Sequence, residues 1–119
     1  LQMRYSVSVG VAYGSPTREA ERVIMQAIEA HPMVLKDPPP MILFEEFGDS
    51  ALVFTGYFWM ELISNRDNRI AVSDVRHAIS EFLEKAGIVI AFPQRDIHVD
   101  SSKPLEIKVL YPEKENGKK

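Results

Sequence analysis

Asp96, His98 and Asp100 alternate along the chain, so in an unbroken strand all three side chains would leave one face and could ligate a divalent cation. Spacing is the whole of that signal. The other histidines, His31 and His77, sit far away on separate segments, and solvated polar residues at a strand edge explain the trio better. Glu45, Glu46 and Asp49 form a second acidic group. Neighbours in a strand point to opposite faces, so Glu45 and Glu46 are not expected to act as one carboxylate pair; a charged hairpin edge is the simpler reading. Gly10 to Gly14, followed by Ser15, Pro16 and Thr17 at a helix start, could cradle an anion on free amides. No lysine stands where a phosphate loop needs one, and Pro16 removes an amide, so a plain strand-turn-helix junction is expected. No serine lies in a nucleophile-elbow sequence and cysteine is absent. No catalytic residue, cofactor or metal site is therefore expected, and the chain does not read as an enzyme.

Two other sets of residues look built for contact rather than reaction. Tyr57 and Trp59 share one face of a long apolar strand, and Phe92-Pro93-Gln94-Arg95-Asp96 interrupts apolar sequence with a proline that cannot donate to a sheet ladder. The aromatic pair invites comparison with RNA-stacking sheets. However, the first strand offers only Ser6, Ser8 and Gly10 beside it, and the formal net charge is -3, so packing against a neighbouring domain or subunit fits better.

These residues need a scaffold, and 119 residues suffice for one domain with its own core. With 45% apolar and 26% charged residues the composition is that of a folding chain. The acidic balance gives no general attraction to nucleic acid or anionic lipid. No stretch approaches the roughly 20 apolar residues of a membrane-spanning helix. Leu1-Gln2-Met3-Arg4 has neither an initiator methionine nor a signal peptide and enters directly into strand-like sequence, which points to a piece of a longer protein.

Period-two alternation places Tyr5, Val7, Val9, Val11 and Tyr13 on the buried face of a first strand. Ser15 as N-cap and Pro16 at the first helical position then predict a helix burying Ala20, Val23, Ile24, Ala27 and Ile28, closed by Pro32. Residues 32–40 read as a stiff, proline-rich connection. Met41 to Phe47 and Ala51 to about Ile63 make a hairpin around Gly48-Asp49-Ser50, with Leu52, Phe54, Phe58, Met60 and Leu62 on one face. Gly56, mid-strand, marks a bulge or a close backbone approach. Ser64 to Arg69 reads as a loop, and a second helix then buries Val75, Ala78, Ile79, Phe82, Leu83 and Ala86 until Gly87 stops it. Ile88 to Ala91 suits a short buried strand. Leu105, Ile107 and Val109 alternate in one more strand, and residues 112–119 read as a tail. The fold class is thus α+β, a ferredoxin-like β-α-β-β-α-β sandwich (residues 1–100) with an appended C-terminal strand (101–111).

The segments VGVAYGS (Val9 to Ser15), HPMVLKDPPP (His31 to Pro40), FEEFGDSAL (Phe44 to Leu52), Phe58-Trp59 and AGIVIAFPQRDIHV (Ala86 to Val99) together resemble the C-terminal cytoplasmic domain of the small-conductance mechanosensitive channel family. The likeness runs in order from about Val7 to Val99.

That resemblance implies a parent with transmembrane helices and a β-rich middle domain upstream. It also implies seven copies around a cytoplasmic vestibule at the inner membrane, with other copies of the chain as partners. By carry-over, Phe92 to Asp96 is the corner leading into an intersubunit arm, and Leu105, Ile107 and Val109 belong to a shared barrel. The implied function is release of ions and small solutes under membrane tension on hypo-osmotic shock. The alternative is a stand-alone ferredoxin-like regulatory module that binds a small ligand at a dimer interface.

Overall fold

The computed structural model describes residues 1–91, and within them two strand-to-helix passages flank one hairpin. The order is β1 (Gln2–Val11), α1 (Thr17–Glu29), β2 (Met41–Phe47), β3 (Leu52–Glu61) and α2 (Asn65–Lys85). β3 lies in the middle of a three-stranded antiparallel sheet ordered β1-β3-β2. β1 and β2 are consequently parallel with a strand between them, the split βαβ arrangement. Beyond α2 the chain returns to the free edge of β1, where Ile90 bridges Val11 in antiparallel sense. Ala12 donates its amide hydrogen to Val89 O at 2.9 Å, and Ala91 donates to Gly10 O at 2.9 Å. This is where a ferredoxin-like sandwich carries its fourth strand. The expected strand at Leu105, Ile107 and Val109 and the tail lie outside the described residues, as does the Phe92 to Asp96 corner.

Both helices cover one sheet face. Val7, Val11, Leu52, Phe54, Phe58 and Met60 from the sheet meet Ala20, Val23, Ile24, Ala27 and Ile28 of α1 and Ala71, Val75, Ile79 and Leu83 of α2 in one continuous core. Phe54 stacks on Phe44 across the hairpin at 4.9 Å between ring centroids. At Gly56 the approach of helix to sheet is closest: a Cβ there would stand 2.4 Å from Ile28 Cδ1 and 3.1 Å from Ile42 Cδ1. Of the two meanings that a mid-strand glycine allows, the structure selects the close approach. The bulge lies on the partner strand, where the register slips between Phe44 and Glu46.

Several expectations are corrected by the packing. β1 begins at Gln2 and stops at Val11, leaving Tyr13 outside the core with its hydroxyl donating to the Gly48 carbonyl of the hairpin turn. Pro16, with extended backbone, is the residue before α1, and Ser15 turns back to donate its hydroxyl to Ala12 O at 2.6 Å instead of capping the helix. Leu62 is exposed because β3 ends at Glu61. Val89 is exposed beside buried Ile88, so this segment has one wet face.

The largest revision concerns residues 64–69. Ser64 and Asp67 stand in the Ser-x-x-acid spacing of a capped helix start. Ser64 Oγ accepts the Asp67 amide hydrogen at 2.9 Å, and α2 begins a turn earlier than its apolar pattern suggests. Asn68, only 2% exposed, explains why a polar residue lies in the core. Its Oδ1 accepts from Ile63 N at 2.9 Å and Ser64 N at 3.2 Å, while its Nδ2 donates to Glu61 O at 2.9 Å. One side chain thus satisfies the backbone between β3 and α2, as buried polar groups require.

At the opposite end of α2 the glycine stop is as read, although Ala86, expected on the buried face, is exposed where the helix has already ended. Gly87 has φ +75°, the left-handed conformation that glycine adopts without a Cβ penalty. Gly87 N donates to Glu84 O at 3.0 Å and Ile88 N to Leu83 O at 2.9 Å, the paired bonds of a Schellman stop. That stop aims the chain back at β1.

Candidate functional site

The sheet face away from the helices carries the residues singled out for contact. Cross-strand partners share a face, so the register aligns Arg4 with Trp59, Ser6 with Tyr57 and Ser8 with Thr55 on the β1 side, and Met41 with Tyr57 and Leu43 with Thr55 on the β2 side. The bulge adds a feature that alternation hides. Glu46 pairs with Val53 on this open face, and Glu45 also reaches it, accepting a hydrogen bond from the Tyr57 hydroxyl at 2.7 Å. Because the bulge shifts the register by one residue, both carboxylates lie on the same side, contrary to the alternating expectation.

A polar ladder organises the face. The Arg4 guanidinium lies 5.1 Å from the centroid of the Tyr57 ring, on the side away from Glu45 in sequence register, and Ser8 and Thr55 share a hydroxyl hydrogen bond at 3.1 Å. The Glu45 carboxylate accepting from the phenol is the chief reason that the Tyr57 hydroxyl titrates above its ordinary range; desolvation acts the same way and Arg4 opposes it. Tyr57 and Trp59 are half-buried, and Met41 and Leu43 beside them are exposed. The face therefore offers an amphipathic surface with Tyr57 held in a fixed direction from both sides. Nothing in it resembles a nucleophile with its base.

A second concavity lies on the helix side, at the β1 edge. Tyr5 forms one wall with Ile70 and Val72, and Arg66, Arg69 and Arg76 of α2 rim a groove of about 810 Å³. These three arginines, one and then two helical turns apart, were not singled out from sequence, although their spacing in Asn65–Lys85 is visible once the helix is known to start at Asn65. Among the described residues no three of His, Asp and Glu gather as a metal site, and no helix is long and apolar enough to cross a membrane. Asp96, His98 and Asp100 lie outside the described residues, as do the proposed contact residues from Phe92 onward.

Comparison with known proteins identifies the scaffold. Residues 5–90 match the family model described as the C-terminal part of the mechanosensitive ion channel MscS. The chain belongs to the MscS family. Its described region is that family's C-terminal domain, with the α+β fold expected from sequence. The chain is 30% identical over 104 residues to the mechanosensitive channel MscK of Escherichia coli, covering 87% of this chain and 9% of that protein. It is 28% identical over 100 residues to the small-conductance mechanosensitive channel MscMJ of Methanocaldococcus jannaschii, covering 82% of this chain and 28% of that protein. The closed-state crystal structure of Helicobacter pylori MscS superposes with a TM-score of 0.74 at 27% identity, covering 85% of this chain and 39% of that one. The chain thus spans well under half the length of these MscS-family relatives.

Proposed function

We propose that this chain is the cytoplasmic vestibule domain of an inner-membrane channel that opens under membrane tension and releases ions and small solutes on hypo-osmotic shock. The match of residues 5–90 to the MscS C-terminal domain carries this reading. The domain's own task in it is assembly, not catalysis. Copies of the chain, seven in the complete channel, surround a chamber, and each contributes contact through Tyr57 and Trp59. The corner at Phe92, Pro93, Gln94, Arg95 and Asp96 leads to an arm in which Leu105, Ile107 and Val109 meet their counterparts. Two properties of the described residues support an assembling role. The open sheet face holds aromatic and aliphatic side chains in contact with solvent, and the outer edges of β1 and β2 offer unpaired backbone groups over most of their length.

The test is to express the natural reading frame that contains this chain in cells lacking their own tension-gated channels, then to measure survival of an osmotic downshift and patch-clamp currents under suction. Rescue with tension-dependent current is expected. A frame without upstream membrane helices, or one whose product gives no such current, would overturn the reading in favour of a stand-alone ligand-binding module.

A further inference from the structure

The groove beside α2 is set apart by its lining. Arg66, Arg69 and Arg76 rim it, Asn65 and Ser73 add side-chain donors, Tyr5 offers a hydroxyl, and no carboxylate is among the lining residues. Two other concavities are smaller and mixed in sign: Glu29 and Lys36 share one of about 270 Å³, and Arg18 and Glu21 share one of about 170 Å³. A third, between the helices, has Arg22 and Lys85, but there Arg22 is bound to Glu19.

The basic lining is written into the helix. At 3.6 residues per turn Arg66, Arg69, Ser73 and Arg76 fall on one side of α2 and span about 15 Å of its length. No Asp or Glu stands three or four residues from Arg69 or Arg76, the spacing at which a helix pairs its own charges. In α1 the reverse holds, with Arg18 paired to Glu21 and Arg22 to Glu19. Of the aspartates in this part of α2, Asp74 lies 3.2 Å from His31 Nε2, and Asp67 lies 3.4 Å from Arg66 in an exposed pair that contributes little. Single unpaired charges are common over the surface. Here like charges converge in a concavity, where walls of one sign concentrate the attraction for an anion.

Size and chemistry narrow the ligand. A groove of about 810 Å³ is in the range of small-molecule sites, roughly 300–1,000 Å³. The planar guanidinium matches oxyanions bidentately, and a phosphoryl group brings more charge and more acceptor oxygens than a carboxylate to a site with three such forks. The formal net charge of -3 gives no general pull on a long polyanion or an anionic bilayer, so the attraction is local. Tyr5, Val72 and Ile70, the last 45% exposed, supply apolar wall beside the arginines. That combination suits an anion with an uncharged body.

We propose that this groove binds a soluble phosphorylated metabolite with two or more phosphoryl charges, its charges on Arg69 and Arg76 and its uncharged part against Tyr5 and Ile70. The inference goes beyond the channel reading and does not rest on it, because the groove is complete within one chain.

The test is calorimetric titration of the purified full-length protein with ADP and with inorganic pyrophosphate. Both should bind, ADP more tightly because only ADP has a body for the apolar wall; equal binding would overturn the part given to Tyr5 and Ile70. R69Q/R76Q should weaken both probes by about tenfold or more, the loss expected when charge-assisted hydrogen bonds are removed, and should leave melting of the free protein unchanged because both side chains are exposed. R18Q/R22Q, which removes as much positive charge from α1, should leave the affinities unaltered. Failure of both probes to bind at millimolar concentration, or equal weakening by the two double variants, would overturn the proposal. Neither result touches the channel reading, which osmotic rescue tests separately. If both probes are inert and R69Q/R76Q instead stops flotation with phosphatidylserine vesicles, the groove serves a lipid headgroup and the proposal fails.

Discussion

The two faces of the sheet are built from the same three strands and solve different problems. On the helix side every central position of β3 is closed off, from Leu52 through Phe54 and Phe58 to Met60, and Gly56 lets Ile28 approach the backbone directly. On the open side the same strand carries Val53, Tyr57 and Trp59, partly exposed, and Thr55, buried against its neighbours, held by hydrogen bonds and a cation-aromatic contact. The first face supplies the fold's stability through burial. The second is held in shape at little cost, leaving it free for another surface.

The contrast can be broken most severely at Phe54. Phe54→Ala removes a fully buried ring stacked on Phe44 and is expected to lower unfolding free energy by about 3–5 kcal/mol, read by urea denaturation. A loss under about 1 kcal/mol would mean that the helix face is not the core. Gly56→Ala comes next: the added methyl overlaps Ile28 Cδ1 and crowds Ile42 Cδ1, so overpacking should cost about 1–3 kcal/mol. A stabilised variant would show that α1 can retreat freely. The smallest effect belongs to the open face and concerns pH. A phenol raised by its bond to Glu45 stabilises the fold while protonated, fully below its ordinary range, and that contribution disappears as pH rises through the elevated folded value. Stability of the unaltered chain should therefore fall more steeply above about pH 10 than that of Tyr57→Phe. Parallel curves would mean that the Tyr57 to Glu45 bond does not persist in solution.

Periodicity alone made most of the helix face legible. Alternation exposed the buried side of β3, and 3.6-residue spacing exposed the inner stripes of both helices, because burial is what such patterns record. Gly87 was readable for the same local reason: a helix stop is written in its own residues. What escaped was set by contacts distant in sequence or by a count of one. The bulge that places Glu45 and Glu46 on one side depends on how β2 meets β3, and no residue in Met41–Phe47 announces it. Tyr13 alternates correctly yet leaves the sheet because β1 turns at Ala12 toward Ser15. The early start of α2 was written in Ser64 and Asp67, but its polar first turn hid an apolar stripe that begins only at Ala71. The arginine groove could not be seen until Tyr5, far upstream, was placed beside it.

The antiparallel return at Ile90 has a mechanical meaning. Leu1 accepts a hydrogen bond from Leu62 N at one end of β1, and Ala91 binds Gly10 near the other, about 30 Å away along the strand. A pull applied between these points would slide β1 along β3, loading the hydrogen bonds from Gln2 to Val11 together instead of peeling them in turn. Strands sheared in this way resist far more force than strands unzipped. Under such a pull the β1–β3 ladder would bear the load as one unit.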